Sequence, residues 1–173
     1  MALPPKDGPE GGFAGTVGLI IIWPHQDDHT KQSAMAKDLF DVQSESNKLA
    51  YIPDQESYQK EEYWATPKET EEKGGGDCED LAIWKYARLR AMGWKADHLL
   101  LWSVQVRARS LFHVILVAKI DGKEWLLDAP AAVEDPPALE PHLINSEDLL
   151  KSLWFLAGFN EEGWIPASFD ESF

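Results

Sequence analysis

A mixed helix-and-sheet domain, with the helices placed ahead of an antiparallel group of strands, is the fold class that this sequence predicts. Three observations carry it. Apolar residues recur at helical spacing, with capping signals, between residues 30 and 93. Strand-like apolar runs follow between residues 99 and 128, and Asp121-Gly122 joins the last two of them as a hairpin turn. The chain of 173 residues is a usual size for one domain, and 44% hydrophobic with 11% aromatic residues provides a core and excludes a disordered chain. Residues 1–173 are therefore read as a single domain.

In order, residues 1–15 are rich in Gly and Pro and read as a loose arm, followed by a short strand or packing segment over 17–23. Residues 30–47 set Met35, Leu39, Val42 and Ser46 at helical spacing, so one helix carries that stripe inward. Residues 50–63 read as a loop. Tyr63-Trp64-Ala65-Thr66-Pro67 leads into a brief acidic helix over 68–73, which Gly74-Gly75-Gly76 ends.

The next helix has the clearest signals. Asp77 suits the N-cap, Glu79 and Asp80 fall in the first turn, where acids complement the helix dipole, and Gly93 follows the last periodic residue. Cys78 then occupies the first helical position. It ends a face of positions 78, 82, 85, 86, 89 and 92, on which Ala82, Tyr86, Leu89 and Met92 are expected to be buried.

Strands are expected over 99–107, 112–120 and 123–128. A two-residue turn sets Ile120 opposite Lys123, and the same register sets Ile115 opposite Asp128. Asp128 is then the diagonal neighbour of His113 on one face, so a carboxylate beside an imidazole follows from the pairing. Residues 130–141 are Pro-rich, and a helix over 146–157 is expected to carry Leu149, Leu150, Leu153 and Trp154.

Thirty acidic against 16 basic residues give a formal charge of -14, which argues against nucleic acid or an anionic membrane surface as a partner. The charge is uneven: residues 51–80 hold ten acids and three bases, residues 81–120 one and seven, and residues 121–173 twelve and two. The basic middle third is read as an element neutralised by acidic neighbours in preference to a substrate groove. No apolar run reaches the roughly 18 residues of a membrane span. The first residues carry acids and prolines where a secretory signal needs positive charge and an apolar stretch, so export by that route is not expected of the chain as given, and a cytoplasmic, trimmed or phage-borne version stays open.

Cys78 is the single cysteine, which excludes an intramolecular disulfide and a multi-cysteine zinc site. A cysteine at a helix N-terminus, a histidine on a strand and an aspartate on the adjoining strand make a nucleophile, a base and an orienting group. The chemistry needs these parts. A free thiol, with a pKa near 8.5, is mostly protonated at neutral pH, and a helix N-terminus and an imidazolium both favour its thiolate. Asp128 would fix the tautomer of His113, and backbone N–H groups at the helix start, that of Cys78 included, would face a developing oxyanion. Taken singly, each residue also has a plain structural reading: a small buried thiol, a satisfied core histidine, a strand end. His25, His29, His98 and His142 are placed in loop or junction contexts.

Several stretches carry a resemblance. Asn47-Lys48-Leu49-Ala50-Tyr51-Ile52-Pro53-Asp54, Glu62-Tyr63-Trp64-Ala65-Thr66-Pro67-Lys68-Glu69, Gly74-Gly75-Gly76-Asp77-Cys78-Glu79-Asp80-Leu81-Ala82-Ile83 with Lys85-Tyr86, Phe112-His113-Val114-Ile115-Leu116 and Trp125-Leu126-Leu127-Asp128 together resemble the bacterial transglutaminase-like cysteine proteinases, the LapG-like group of the papain-like superfamily. The match spans roughly residues 39–130. It implies an α+β papain/transglutaminase-like fold with the nucleophile helix packed on an antiparallel sheet, and the roles of nucleophile for Cys78, base for His113 and orienter for Asp128. It further implies a calcium-dependent protease acting on a large surface adhesin. Calcium ligands carry over to Asp77, Glu79 and Asp80, and by analogy with transglutaminases the Trp64 indole N–H would serve the oxyanion. Relatives carry Asn after the triad Asp and often an aromatic after the Glu-Asp pair. Here those positions are Ala129 and Leu81, and the segment over 131–173 diverges.

Calcium has a physical motive as well. Three carboxylates within two residues of Cys78 would raise its pKa by repulsion, and a divalent cation would cancel that penalty. Against it, Asp77 can be a helix cap and Glu79 and Asp80 dipole partners, and three ligands are fewer than the six to eight that calcium takes. The expected function is a cysteine endopeptidase acting on a protein or peptide through a thioester. A transglutaminase or glutamine deamidase shares that thioester, and a non-catalytic peptide-binding module would keep the fold without the chemistry.

Overall fold

The computed structural model describes residues 25–130, 132, 135, 140–143, 153–160 and 163–166. The expected arm over 1–15 and strand over 17–23 lie outside the described residues. The first element is α1 (His25–Ser46), which starts earlier than the apolar stripe suggested and takes in His25 and His29, expected in a loop. Of its stripe, Leu39, Val42 and Ser46 lie inside and Met35 is partly buried; Gln43 lies inside as well.

Residues 50–63 are not the featureless loop expected. They contain β1 (Ala50–Tyr51) and the one-turn α2 (Asp54–Ser57). After α3 (Pro67–Lys73), held at its start by a Thr66/Glu69 capping box, Gly74 closes the helix at φ 75. Gly75 and Gly76 do more than end a helix. They form β2 (Gly75–Gly76), which pairs in parallel with β1, Ala50 beside Gly75 and Tyr51 beside Gly76. The approach is so close that a Cβ on Gly75 would lie 2.0 Å from the Ala50 carbonyl oxygen, and one on Gly76 2.5 Å from the Asp80 side chain. Gly75→Ala is therefore expected to destabilise the protein by about 1–3 kcal/mol, the usual cost of overpacking. Equal urea midpoints for Gly75→Ala and the parent would refute this close approach.

Next comes α4 (Cys78–Ala91), with Asp77 as N-cap and Gly93 at φ 95 just past its end. Cys78, Ala82 and Leu89 are buried on its inner face and Tyr86 is partly so, but Met92, expected inside, is 47% exposed because it is already the cap residue. Arg88 bonds Glu45 at 2.8 Å, which ties α1 and α4 at the surface as well as through the core, and the buried Trp94, just past α4, donates its indole N–H to Asp38 of α1 at 3.0 Å.

A 3-10 turn, Ala96–His98, leads into β3 (Leu99–Val106), β4 (Leu111–Ile120) and β5 (Lys123–Leu127). Asp121 and Gly122 both have positive φ, as a two-residue hairpin turn demands, and Ile120 pairs with Lys123, Lys119 with Glu124 and Leu116 with Leu127. The strands join β6 (His142–Leu143), β7 (Leu153–Asn160) and β8 (Gly163–Pro166) in a six-stranded antiparallel sheet of order β6-β5-β4-β3-β7-β8. Two expectations fail here. His142 lies in β6, where it pairs with Leu126, instead of in a loop. The helix expected over 146–157 is contradicted from residue 153 onward, where β7 pairs with the second edge of β3, Val106 opposite Leu153 and Leu101 opposite Phe159. Short apolar runs fit either period, and the aromatic-rich run 153–160 is set by the ladder it completes.

The fold is α+β. Leu39 and Val42 of α1 and Ala82 and Leu89 of α4 cover the sheet face of Val114, Leu116, Ala118 and Ile120. The opposite face carries Val104, Ile115, Val117 and Leu126.

Candidate active site

His113 belongs to the face of Ile115 and Val117, and its side chain is 3% exposed. The last β4–β5 pair is Leu116 with Leu127, so Asp128 follows directly where the ladder stops. There its Oδ1 lies 2.6 Å from His113 Nε2 and also accepts the Ala129 N–H at 2.8 Å. Burial pushes the Asp128 carboxyl up, but the hydrogen bond and charge of His113, then Lys85 and the Ala129 N–H, outweigh it and hold it below its ordinary value. An ionised acceptor fixes the ring with its proton on Nε2. Nδ1, buried and without a hydrogen-bond partner among the described residues, is the nitrogen left for a reacting proton.

Cys78 sits at the start of α4 and is 7% exposed. Its sulfur accepts the Val114 N–H, the amide next to His113, and its S–H donates to Glu79 Oε2 at 3.0 Å. Val114 lies beyond the end of the β4–β5 ladder, which leaves that amide to the sulfur. The thiol is pushed strongly upward, first by burial and then by the charge and hydrogen bond of Glu79, against the smaller opposing effect of the Val114 N–H. The lowering expected from the helix N-terminus is thus outweighed in this arrangement.

Carboxylates account for that. Asp54, Asp77 and Glu79 bring one oxygen each within 4.8 Å of one another. The β1–β2 pairing causes it: Ala50 N donates to Gly74 O and Ile52 N to Gly76 O, both at 3.0 Å, which fixes Asp54 beside the residue that follows β2. Asp77 makes no side-chain cap bond, unlike a helix-capping aspartate, and its Oδ1 is buried without a partner, as is Oδ1 of Asp54. Burial, then the charges of Glu79, Asp54 and Asp80, push the Asp77 carboxyl up to about 9. Burial also raises Glu79 and Asp54. Buried, partnerless carboxylate oxygens that repel one another are hard ligands suited to a divalent cation.

Two residues singled out in the sequence stand elsewhere. Asp80 is outside this trio; its Oδ1 accepts the Ala65 N–H at 2.7 Å and burial lifts it to about 6. Trp64 is 41% exposed and gives its indole N–H to Glu62 Oε1 at 2.8 Å. Asp54, the third member of the carboxylate group, is not singled out by the sequence. It belongs to the Tyr-Ile-Pro-Asp stretch of the resemblance, but only the β1–β2 contact links it to Asp77 across the intervening chain.

A family model described as bacterial transglutaminase-like cysteine proteinase (BTLCP) matches residues 24–133. Among solved structures, calcium-bound LapG of Legionella pneumophila is similar at 24% identity and a TM-score of 0.59, over 82% of this chain and 79% of that one. EGTA-treated LapG of the same organism is similar at 24% identity and a TM-score of 0.60, over 83% and 77%. Among curated proteins none matches the chain.

Proposed function

Because the chain belongs to the bacterial transglutaminase-like cysteine proteinases, and so is a cysteine peptidase, we propose that it is an endopeptidase acting through Cys78, His113 and Asp128. The observation that carries this is the His113–Asp128 contact at 2.6 Å, which leaves a buried, unpartnered Nδ1 on the residue whose neighbouring amide binds the Cys78 sulfur. In the reaction, the thiol proton passes to His113 Nδ1 while sulfur attacks the scissile carbonyl carbon. His113 Nδ1–H then protonates the leaving amine as the C–N bond breaks, which leaves a thioester on Cys78. A water, deprotonated by Nδ1, attacks that thioester, releasing the acid product and regenerating the thiol. Through both steps Asp128 keeps the other ring proton on Nε2 and stabilises the imidazolium. The backbone N–H groups at the start of α4, that of Cys78 included, would be available to the oxyanion.

The same proposal includes a calcium ion held by Asp54, Asp77 and Glu79. In support, the three carboxylates bring one oxygen each within 4.8 Å of one another, Oδ1 of Asp54 and Oδ1 of Asp77 are buried without a hydrogen-bond partner, and the similar LapG is described in a calcium-bound form. Calcium held there would supply the positive charge that the carboxylate group lacks and lower the penalty on the adjacent thiolate. The substrate is a protein or peptide, and an adhesin-like surface protein fits the resemblance.

The test incubates the protein with reduced, alkylated casein and with an adhesin-like polypeptide, plus a primary amine, and follows products by mass spectrometry. New peptide termini are expected. Amine incorporation or glutamine-to-glutamate conversion without cleavage would replace the endopeptidase by a transglutaminase or deamidase, and no product from either substrate with no alkylation of Cys78 by iodoacetamide would sink the enzymatic reading.

A further inference from the structure

We propose that Lys85 and Gln43 are positioning residues for the reaction, clamping the Asp128 carbonyl beyond the end of β5 so that its carboxylate stays aimed at His113. This inference rests on the triad reading above.

Lys85 is a fully buried lysine on α4. It faces no carboxylate at hydrogen-bond distance among the described residues. Its ammonium donates to the Leu127 carbonyl at 3.1 Å, to the Asp128 carbonyl and, at 3.5 Å, to Gln43 Oε1. Gln43 on α1 is 1% exposed, and its Nε2 donates to the same Asp128 carbonyl at 3.1 Å and to Asn47 Oδ1 at 2.8 Å. Burying an ammonium is costly unless its hydrogen bonds are met, so apolar residues would fill this core at lower cost. The site instead spends a lysine and a glutamine on one carbonyl.

That carbonyl matters because of where it lies. The β4–β5 ladder ends at Leu116–Leu127, so no strand pairing fixes Asp128, the next residue along. Lys85 and Gln43 replace the missing ladder bonds, one from each helix that covers the sheet. With the backbone held on one side and Oδ1 held by the Ala129 N–H on the other, the carboxylate has little freedom except to meet Nε2. Lys85 also lies seven residues after Cys78 on α4, two helical turns along the same side. One rigid helix thus sets the nucleophile and the support of the orienting group.

The experiment compares full-length Gln43→Leu and Lys85→Met, which keep volume but remove the donors, with Leu89→Ala, a buried cavity variant on α4 outside the clamp, and with Asp128→Ala. Two quantities are read: kcat and KM for casein, per alkylatable Cys78, and the His113 Nε2–H proton resonance. The clamp predicts a loss of kcat of about tenfold to a hundredfold at unchanged KM, the scale of a roughly 1 Å misplacement, with the Nε2–H resonance moved upfield. Leu89→Ala is expected to lower thermal stability while leaving both quantities as in the parent. Parental kcat and resonance in Gln43→Leu would overturn the clamp even if Lys85→Met fails to fold. Parental cleavage by Asp128→Ala would instead overturn the triad reading. Were casein left uncut, the resonance in Gln43→Leu would decide the clamp alone, moved or unmoved.

Discussion

Cys78→Ala and His113→Ala are each expected to lower kcat by about 10⁶-fold, and the double variant to be no worse than either, if the two side chains act as the one unit proposed. Without the sulfur there is no thioester. In the proposed reaction His113 is the group that takes the thiol proton and returns one to the leaving amine, whereas Glu79, which accepts the thiol proton at 3.0 Å, belongs to the carboxylate cluster. Asp128→Ala costs less, about 10⁴-fold, because the ring remains but neither its tautomer nor its charge is fixed. These losses are kinetic. Asp128 is half-buried and its removal leaves the α1–α4 core intact, so the thermal midpoint of Asp128→Ala stays close to that of the parent. Single-turnover rates on one cleaved bond, beside melting curves for each variant, check the order. Losses that multiply in the double variant would show that Cys78 and His113 do not work together.

The parts of the site that the sequence displayed are those set by local signals. The start of α4 follows from glycines, an N-cap aspartate and acids in the first turn. The meeting of His113 with Asp128 follows from a two-residue turn whose register carries five pairs along β4 and β5. What stayed hidden is fixed by contacts between distant segments. Asp54 joins Asp77 through a two-residue ladder with too little side-chain pattern to read, since half of it is glycine. Lys85 looks like an ordinary charged residue of an amphipathic helix until α1 and the end of β5 close over it. The run 153–160 reads as either helix or strand and becomes β7 because β3 offers an edge. Met92 fits its helix face by spacing, but the helix ends before that face reaches it.

Calcium is expected to raise the thermal midpoint by about 10 °C at a concentration a thousandfold above its dissociation constant, since ligand binding to the folded state would then be worth about 4 kcal/mol. The same carboxylates give the metal-free protein a pH dependence of known sign. Asp77 moves from an ordinary 3.8 to about 9 on folding, so between those values the folded chain holds a proton that the unfolded chain has lost. Stability in chelator is therefore greatest below about pH 4 with respect to this group and falls as pH rises toward 9. Bound calcium reverses the trend, because its ligands bind as carboxylates and protons compete with it. Asp77→Asn removes both effects: its amide does not titrate, so the metal-free variant is more stable than the parent at pH 8, and calcium no longer raises its midpoint. Melting curves in EGTA and in calcium chloride across pH 5–9, for the parent and Asp77→Asn, decide the matter. A parent that melts at one temperature in both solutions at pH 8 would falsify the metal site and leave the partnerless oxygens of Asp54 and Asp77 to be explained by protonation alone.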